Sequence, residues 1–199
     1  MKTPTTPEIL QSIAQAPTKH SPTGVSVVLP RQDVDTGDWC PNIFLAGTID
    51  MGNSDNWQQK TISKLISERV DVNVYNPRRV CFAGDKAEID YQIRWELNNI
   101  QMSNIVFFNF LPDSQSPVTL MELGLVLAGQ EETGNLPIVV CPDEFWRAQN
   151  VWVTCAYYGI TPFTSYAAGF DRLIFEIEKE NRKIQQSRRY RRFHGEPEL

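Results

Sequence analysis

No window of the 199-residue chain approaches the roughly 18 consecutive apolar residues of a membrane-spanning helix. The opening residues, Met1-Lys-Thr-Pro-Thr-Thr-Pro-Glu8, contain no apolar signal core, so a cytoplasmic location is the expectation. Cys40, Cys81, Cys141 and Cys155 stand far apart with no C-x-x-C spacing. This argues against a zinc site or a small disulfide framework and for free thiols. Histidine is scarce: His20 and His194 both fall in segments read as tails, which argues against a Ser-His or Cys-His hydrolase. Neither G-x-G-x-x-G nor G-x-x-x-x-G-K-S/T occurs, which removes the two best-known nucleotide fingerprints. Positive charge is also short. The net charge is −5, and residues 1 to 171 alone carry −8 against +3 for 172 to 199. An acidic body repels a phosphate backbone, so nucleic acid is not an expected partner. The run Arg188-Arg-Tyr-Arg-Arg192 reads as the solvated end of a helix.

With 41% hydrophobic and 22% charged residues, the chain has the composition of one soluble globular domain. Residues 1 to 40, rich in Pro, Thr, Ser and Asp, read as a flexible leader with one β-prone patch, Val25-Ser-Val-Val-Leu29. Residues 41 to 187 read as the domain proper, and 188 to 199 as a basic tail. Within the domain strands and helices alternate. Strands are expected at Ile43–Ala46, Val72–Tyr75, Asn104–Phe110 and Pro137–Cys141. Helices are expected around Trp57, Ile62 and Leu65, and from about Ala87 to Met102 with Ile89, Ile93, Leu97 and Ile100 as the buried stripe. Others are expected after Ser116 and from about Tyr166 to Ser187. That alternation predicts an α/β fold, a doubly wound, mostly parallel sheet of about five strands flanked by helices.

The segment Ser116-Pro-Val-Thr-Leu-Met-Glu-Leu-Gly124 follows a buried strand and opens a helix, which puts Glu122 in the helix's first turn at the mouth of the sheet. There the partial positive charge of the helix start favours an ionised carboxylate, a nucleophile or electrostatic stabiliser. The competing reading is a capping box, Thr119-x-x-Glu122, in which the carboxylate bonds back to the helix start. Four further features face the same crevice: Gly47-Thr-Ile-Asp50, Asn76-Pro-Arg-Arg79 and Asp113-Ser-Gln-Ser116 after strands, and Trp95-Glu96 on the second helix. Carboxylates, hydroxyls, amides and an aromatic without histidine suit a sugar or nucleoside better than a metal ion. Asp50, Asp85 and Asp90 read more simply as turn or capping residues.

At these residues the chain resembles the nucleoside 2-deoxyribosyltransferase-like family. The matching stretches are Ile43-Phe-Leu-Ala-Gly-Thr-Ile-Asp-Met-Gly52 with Trp57-Gln58, Tyr75-Asn-Pro-Arg-Arg79 and Gln92-Ile-Arg-Trp-Glu-Leu97. Ser116–Gly124 and Cys141-Pro-Asp-Glu-Phe-Trp-Arg147 complete the set, over about residues 25 to 175. The resemblance implies a flavodoxin-like fold and cleavage of the bond between a nucleobase and C1′ of a deoxyribosyl group, through a covalent intermediate on the Glu of the M-E-L-G motif. That position is Glu122, and Glu96 takes the place of the base-contacting carboxylate. Substrate-binding roles are implied for Gly47, Thr48, Asp50, Trp57, Asn76, Arg78, Ser114, Ser116 and Thr119. No cofactor and no metal are implied. The partners implied are a nucleoside or nucleotide, a nucleobase and further copies of the chain. Where classical transferases place an acidic group for the sugar 5′ hydroxyl, this chain has Ser116 with Ser114 nearby, and related nucleotide hydrolases use hydroxyls there for a 5′ phosphate. Both substrate classes therefore stay open. So do transfer and hydrolysis, cleavage of an NAD-type ribosyl bond, and non-catalytic nucleotide sensing.

Overall fold

Short runs of Val, Ile and Phe without helical spacing pair as strands, because β-branched and aromatic side chains pack best on a pleated surface. The computed structural model describes residues 24–32, 39–79 and 85–194. His20, Cys81, the Val80–Asp85 stretch up to Gly84, and residues 1–23 and 195–199 lie outside the described residues. The strands are β1 (Val25–Val28), β2 (Asn42–Gly47), β3 (Val72–Tyr75), β4 (Ile105–Asn109) and β5 (Leu136–Val140). All pair in parallel, in the order β1-β3-β2-β4-β5. The Val25 patch is thus an integral edge strand, aligned residue for residue with β3 from Val25 opposite Val72 to Val28 opposite Tyr75.

Five α-helices cover the sheet: α1 (Trp57–Glu68), α2 (Lys86–Met102), α3 (Pro117–Thr133), α4 (Ala148–Tyr157) and α5 (Tyr166–His194). The expected final helix runs on through the basic segment, so position 187 is not a break in secondary structure. The alternation of side chains along each strand sorts the core into two layers. Ile43, Leu45, Ile105, Phe107, Ile138 and Val140 face α1 and α5, where Trp57, Leu65, Phe170, Leu173 and Ile177 meet them. Phe44, Ala46, Val106, Phe108 and Val139 face α2, α3 and α4, under Ile100, Leu123, Leu127, Val151 and Cys155. The fit is close at Gly169, where a Cβ would collide with the Val140 side chain, so α5 can lie on β5 only with glycine there. Among the described residues no helix is long and apolar enough to cross a membrane.

This order places a topological switch point at β2, whose chain leaves toward β3 on one side while β4 lies on the other. Ligands of open α/β sheets bind in the crevice beyond the strand ends at such a point. Helix α2 departs from expectation. Of its apolar stripe only Ile100 is buried; Ile89, Ile93 and Leu97 are exposed, and the face turned to the sheet is carried by Gln92, Ile100 and the half-buried Trp95 and Glu96. Trp95 covers the sheet by resting on Phe44 and Tyr75, with ring centroids 6.1 and 6.3 Å away.

Candidate active site

Residues that follow β2 and β4 meet at the switch point. Gly47 ends β2 with φ +153, and a Cβ there would strike the backbone of Asn109 and the Trp57 ring, so the two strands and α1 close up only around glycine. Thr48 is thereby set against the loop after β4. Its amide donates to the Asn109 carbonyl at 3.1 Å, and its Oγ1 accepts from the Leu111 amide at 3.1 Å. Ser116 precedes Pro117 in a left-handed conformation (φ 44). That costs energy for a non-glycine residue and is held by the surroundings. Its hydroxyl does not cap α3. It lies 2.6 Å from Thr48 Oγ1 and 2.8 Å from Ser114 Oγ, while Ser114 donates to Asp50 Oδ1 at 2.8 Å.

The direction of these bonds follows from counting protons. A carboxylate only accepts, so Ser114 spends its hydroxyl proton on Asp50, Ser116 spends its own on Ser114, and Thr48 spends its own on Ser116. Ser114 also accepts from the Ser116 amide at 3.1 Å. The chain of buried hydroxyls therefore ends on an exposed anion and keeps no proton for a ligand.

Glu122 is not in the first turn of its helix. Pro117 occupies the first helical position, where its fixed φ and missing N–H fit, so Glu122 falls in the second turn and Thr119 is buried inside the first. The capping box does not form, and the helix-start charge, which fades within a turn, does not reach the carboxyl. Glu122 is 7% exposed and its carboxyl has no hydrogen-bond partner among the described residues. Burial, followed by the nearby charge of Glu96, pushes its pKa up to about 8. The expectation of an anion at neutral pH is corrected: uncompensated desolvation keeps the resting carboxyl largely protonated. Glu96 is also raised, first by burial, and is drawn back by a hydrogen bond from Gln92 and by the charge of Arg79. The charge of Glu96 acts on Glu122, so the two carboxyls are neighbours.

The other expected site residues divide. Trp57 is a core residue, its indole N–H donating to the Thr48 carbonyl at 2.8 Å, so it shapes the loop after β2. Arg78 is also turned inward. Its guanidinium holds the carbonyls of Gly52, Ser54 and Asp55 at 3.0, 2.7 and 3.0 Å, and burial lowers its pKa. Asn76 accepts from the Arg78 amide at 3.0 Å and shapes that turn. Asp85 caps α2 by accepting from the Glu88 amide, and Asp90 is exposed.

Two residues were missed by sequence reasoning. Gln92, one turn before Glu96, gives one amide hydrogen to the Pro77 carbonyl at 3.1 Å and the other to Glu96 Oε1 at 2.5 Å, fixing that carboxyl. The signal was the i, i+4 spacing on a face expected to be exposed. Arg79, tied to Glu88 at 3.0 Å, is the cation nearest in effect to Glu96. Among the described residues no group of three or more His, Cys, Asp or Glu is placed to hold a metal ion, and Cys40, Cys141 and Cys155 are free, buried thiols.

An all-parallel α/β sheet with the buried Glu122 and the half-buried Glu96 at its switch point defines a flavodoxin-like protein. The model of the family described as nucleoside 2-deoxyribosyltransferase like matches residues 40–145, more than half of the chain and both carboxylates, and the chain belongs to that family. No curated protein matches the chain.

The raised pKa of Glu122 has a consequence for stability. From about pH 4.5, where unfolded Glu122 begins to ionise, up to about 8, the folded state holds a proton that the unfolded state has lost, so stability falls as pH rises. The slope is on the order of 1 kcal/mol per pH unit. Glu122→Gln removes this titration. Its melting temperature relative to wild type should climb steadily between pH 4.5 and 8 and then level off; a constant difference across that range would show that the carboxyl titrates normally.

Proposed function

We propose that the protein cleaves the N-glycosidic bond of 2′-deoxynucleosides and transfers the deoxyribosyl group to another nucleobase through a covalent intermediate on Glu122. The observation that carries this reading is the juxtaposition of the buried Glu122 with the half-buried Glu96, one cation acting on Glu96 and none on Glu122. Glu122 forms the new bond to C1′ as the bond from C1′ to the base nitrogen breaks. The electron pair leaves with the base, and Glu96 supplies the proton. Positive charge building on the sugar in the oxocarbenium-like transition state favours the anionic form of Glu122, whose proton passes to Glu96 on loading and is the one that Glu96 gives to the leaving base. In the second half an acceptor base attacks C1′, the ester breaks, and the proton lost by the acceptor returns to Glu96. Water in place of the base gives hydrolysis. Two displacements retain configuration.

The hydroxyl chain favours a nucleoside over its 5′-monophosphate. Thr48, Ser116 and Ser114 keep no free donor, and Asp50 presents an anion where a phosphate would sit. A neutral 5′ hydroxyl can donate to that carboxylate. Arg78, which would otherwise offset a phosphate, is consumed by the Gly52–Asp55 carbonyls. This reading places the protein in cytoplasmic nucleotide metabolism, in salvage of purine and pyrimidine bases.

A homo-oligomer fits the same helices. The outer face of α3 exposes Val118, Met121 and Leu125, beside the exposed Ile89, Ile93 and Leu97 of α2. Between Pro117 and Gln130 the single ionisable residue is Glu122. A helix apolar all round is one that is covered on all sides. Each of these six side chains is 40% or more exposed.

Four measurements test this reading. Glu122→Gln should keep the fold and lower base release from deoxynucleosides by on the order of a thousandfold, because an amide cannot form the glycosyl ester; a variant with a tenth of the activity or more would take Glu122 out of the mechanism. Running the assay with and without an acceptor base separates transfer from hydrolysis. Asp50→Asn, which suits the left-handed backbone at that position (φ 46), should raise the ratio of kcat/KM for monophosphate over nucleoside by about tenfold, with an unchanged ratio refuting the 5′ assignment. Light scattering after size exclusion should show an oligomer for wild type and a monomer for Met121→Arg. A monomeric wild type, or an oligomer untouched by the change, would locate contacts elsewhere or nowhere.

A further inference from the structure

A cleft of about 330 Å³ opens on the other face of the sheet, between the start of α1, the ends of β4 and β5 and the start of α5. That volume is at the lower end of small-molecule sites. The strand pleat keeps it apart from the carboxylate crevice. Phe107 and Asn109 point toward α1 and α5, whereas Phe108 points toward the helices that carry Glu96 and Glu122, and Phe110 borders the cleft at the end of the strand.

Its walls are flat and apolar. Trp57 and Tyr166 contribute rings whose polar ends are already engaged, the indole N–H on the Thr48 carbonyl and the phenol on Thr61 Oγ1 at 2.8 Å, and Pro142 adds a third ring. At the rim Lys60 is paired with Asp55 at 3.3 Å. Among the lining residues Asn109 contributes a polar side chain from a buried position. Asn109 is 2% exposed, and its carboxamide has no hydrogen-bond partner among the described residues, although its backbone is fully used in the sheet and by Thr48. Its amide and carbonyl are not among the buried atoms sealed off without a partner, so they remain open to a ligand.

We propose that this cleft is a second ligand site, distinct from the carboxylate crevice, that takes a nucleobase between its aromatic walls and reads it through Asn109. A carboxamide offers an acceptor and a donor side by side, which complements a heterocycle edge carrying a donor next to an acceptor. Asn and Gln pair with adenine in this manner. Flat aromatic and proline walls exclude water from the ring faces, and stacking on such walls tolerates any base. The proposal does not depend on the transfer reaction, since occupancy of the cleft is read without turnover.

The test uses adenine as the probe and the full-length chain. In an adenine titration followed by amide NMR, the signals of Lys60, Asn109 and Thr164 should shift in a saturable way. Asn109→Leu should weaken that binding at least tenfold. Thr164→Trp, made at an exposed wall position that leaves the core alone, should abolish it while preserving any shifts at Glu96 and Glu122. Adenine shifts confined to the carboxylate crevice, or cleft shifts unchanged in both variants, would overturn the proposal.

Discussion

The burial of a carboxyl group that the fold does not compensate is the constraint around which the candidate site is arranged. Glu122 is held beneath the surface by α3, whose Leu123, Val126 and Leu127 anchor it to the sheet, so the side chain cannot turn out to water without lifting the helix. Its neighbour Glu96 receives what Glu122 lacks: an amide hydrogen from Gln92 and the field of Arg79. Two like groups in unlike surroundings differ in proton affinity. In the proposed reaction that resting order is reversed by the substrate, whose developing cation favours the anionic form of Glu122.

Much of the architecture is legible in the chain because local and global signals agree. Uninterrupted apolar runs at Ile43–Ala46, Ile105–Phe108 and Ile138–Val140 mark strands buried on both faces, as a parallel sheet under two helix layers demands. The helix after Ser116 and its single carboxylate are legible for the same reason. The register of Glu122 within it is not, since Thr119-x-x-Glu122 has capping spacing and only the competing Ser116-Pro117 start decides the matter. Two short-range signals conflicted, and the proline, with its fixed backbone angle, prevailed.

Other departures arise from information that no local pattern carries. Helix α2 shows apolar spacing at Ile89, Ile93 and Leu97, yet the sheet takes the neighbouring face with Gln92 and Glu96, because the polar groups are wanted over the strand ends and the apolar stripe lies outward. Periodicity tells that a face is apolar without telling what covers it. Arg78 reads as a ligand for substrate from its place after β3, but burial behind the Gly52–Asp55 loop turns it into a brace. Asp50, which by its position reads as a turn residue, is brought to Ser114 across 64 residues of sequence by the β2–β4 pairing.

That last contact determines the charge seen by a ligand. Arg78 is withdrawn into backbone hydrogen bonds, and Arg79 is paired with Glu88 through Nη1 while its buried Nη2 keeps no partner among the described residues. On the proposed reading, Asp50 and the carboxyl pair disfavour a phosphate in the ground state and favour a sugar that becomes cationic only as its glycosidic bond breaks. Interactions that strengthen along the reaction coordinate raise turnover, whereas those equally strong at the start raise only binding. On the proposed reading the carboxyls provide the first kind of interaction, and the hydroxyl chain from Thr48 to Asp50 is set in place before any ligand arrives.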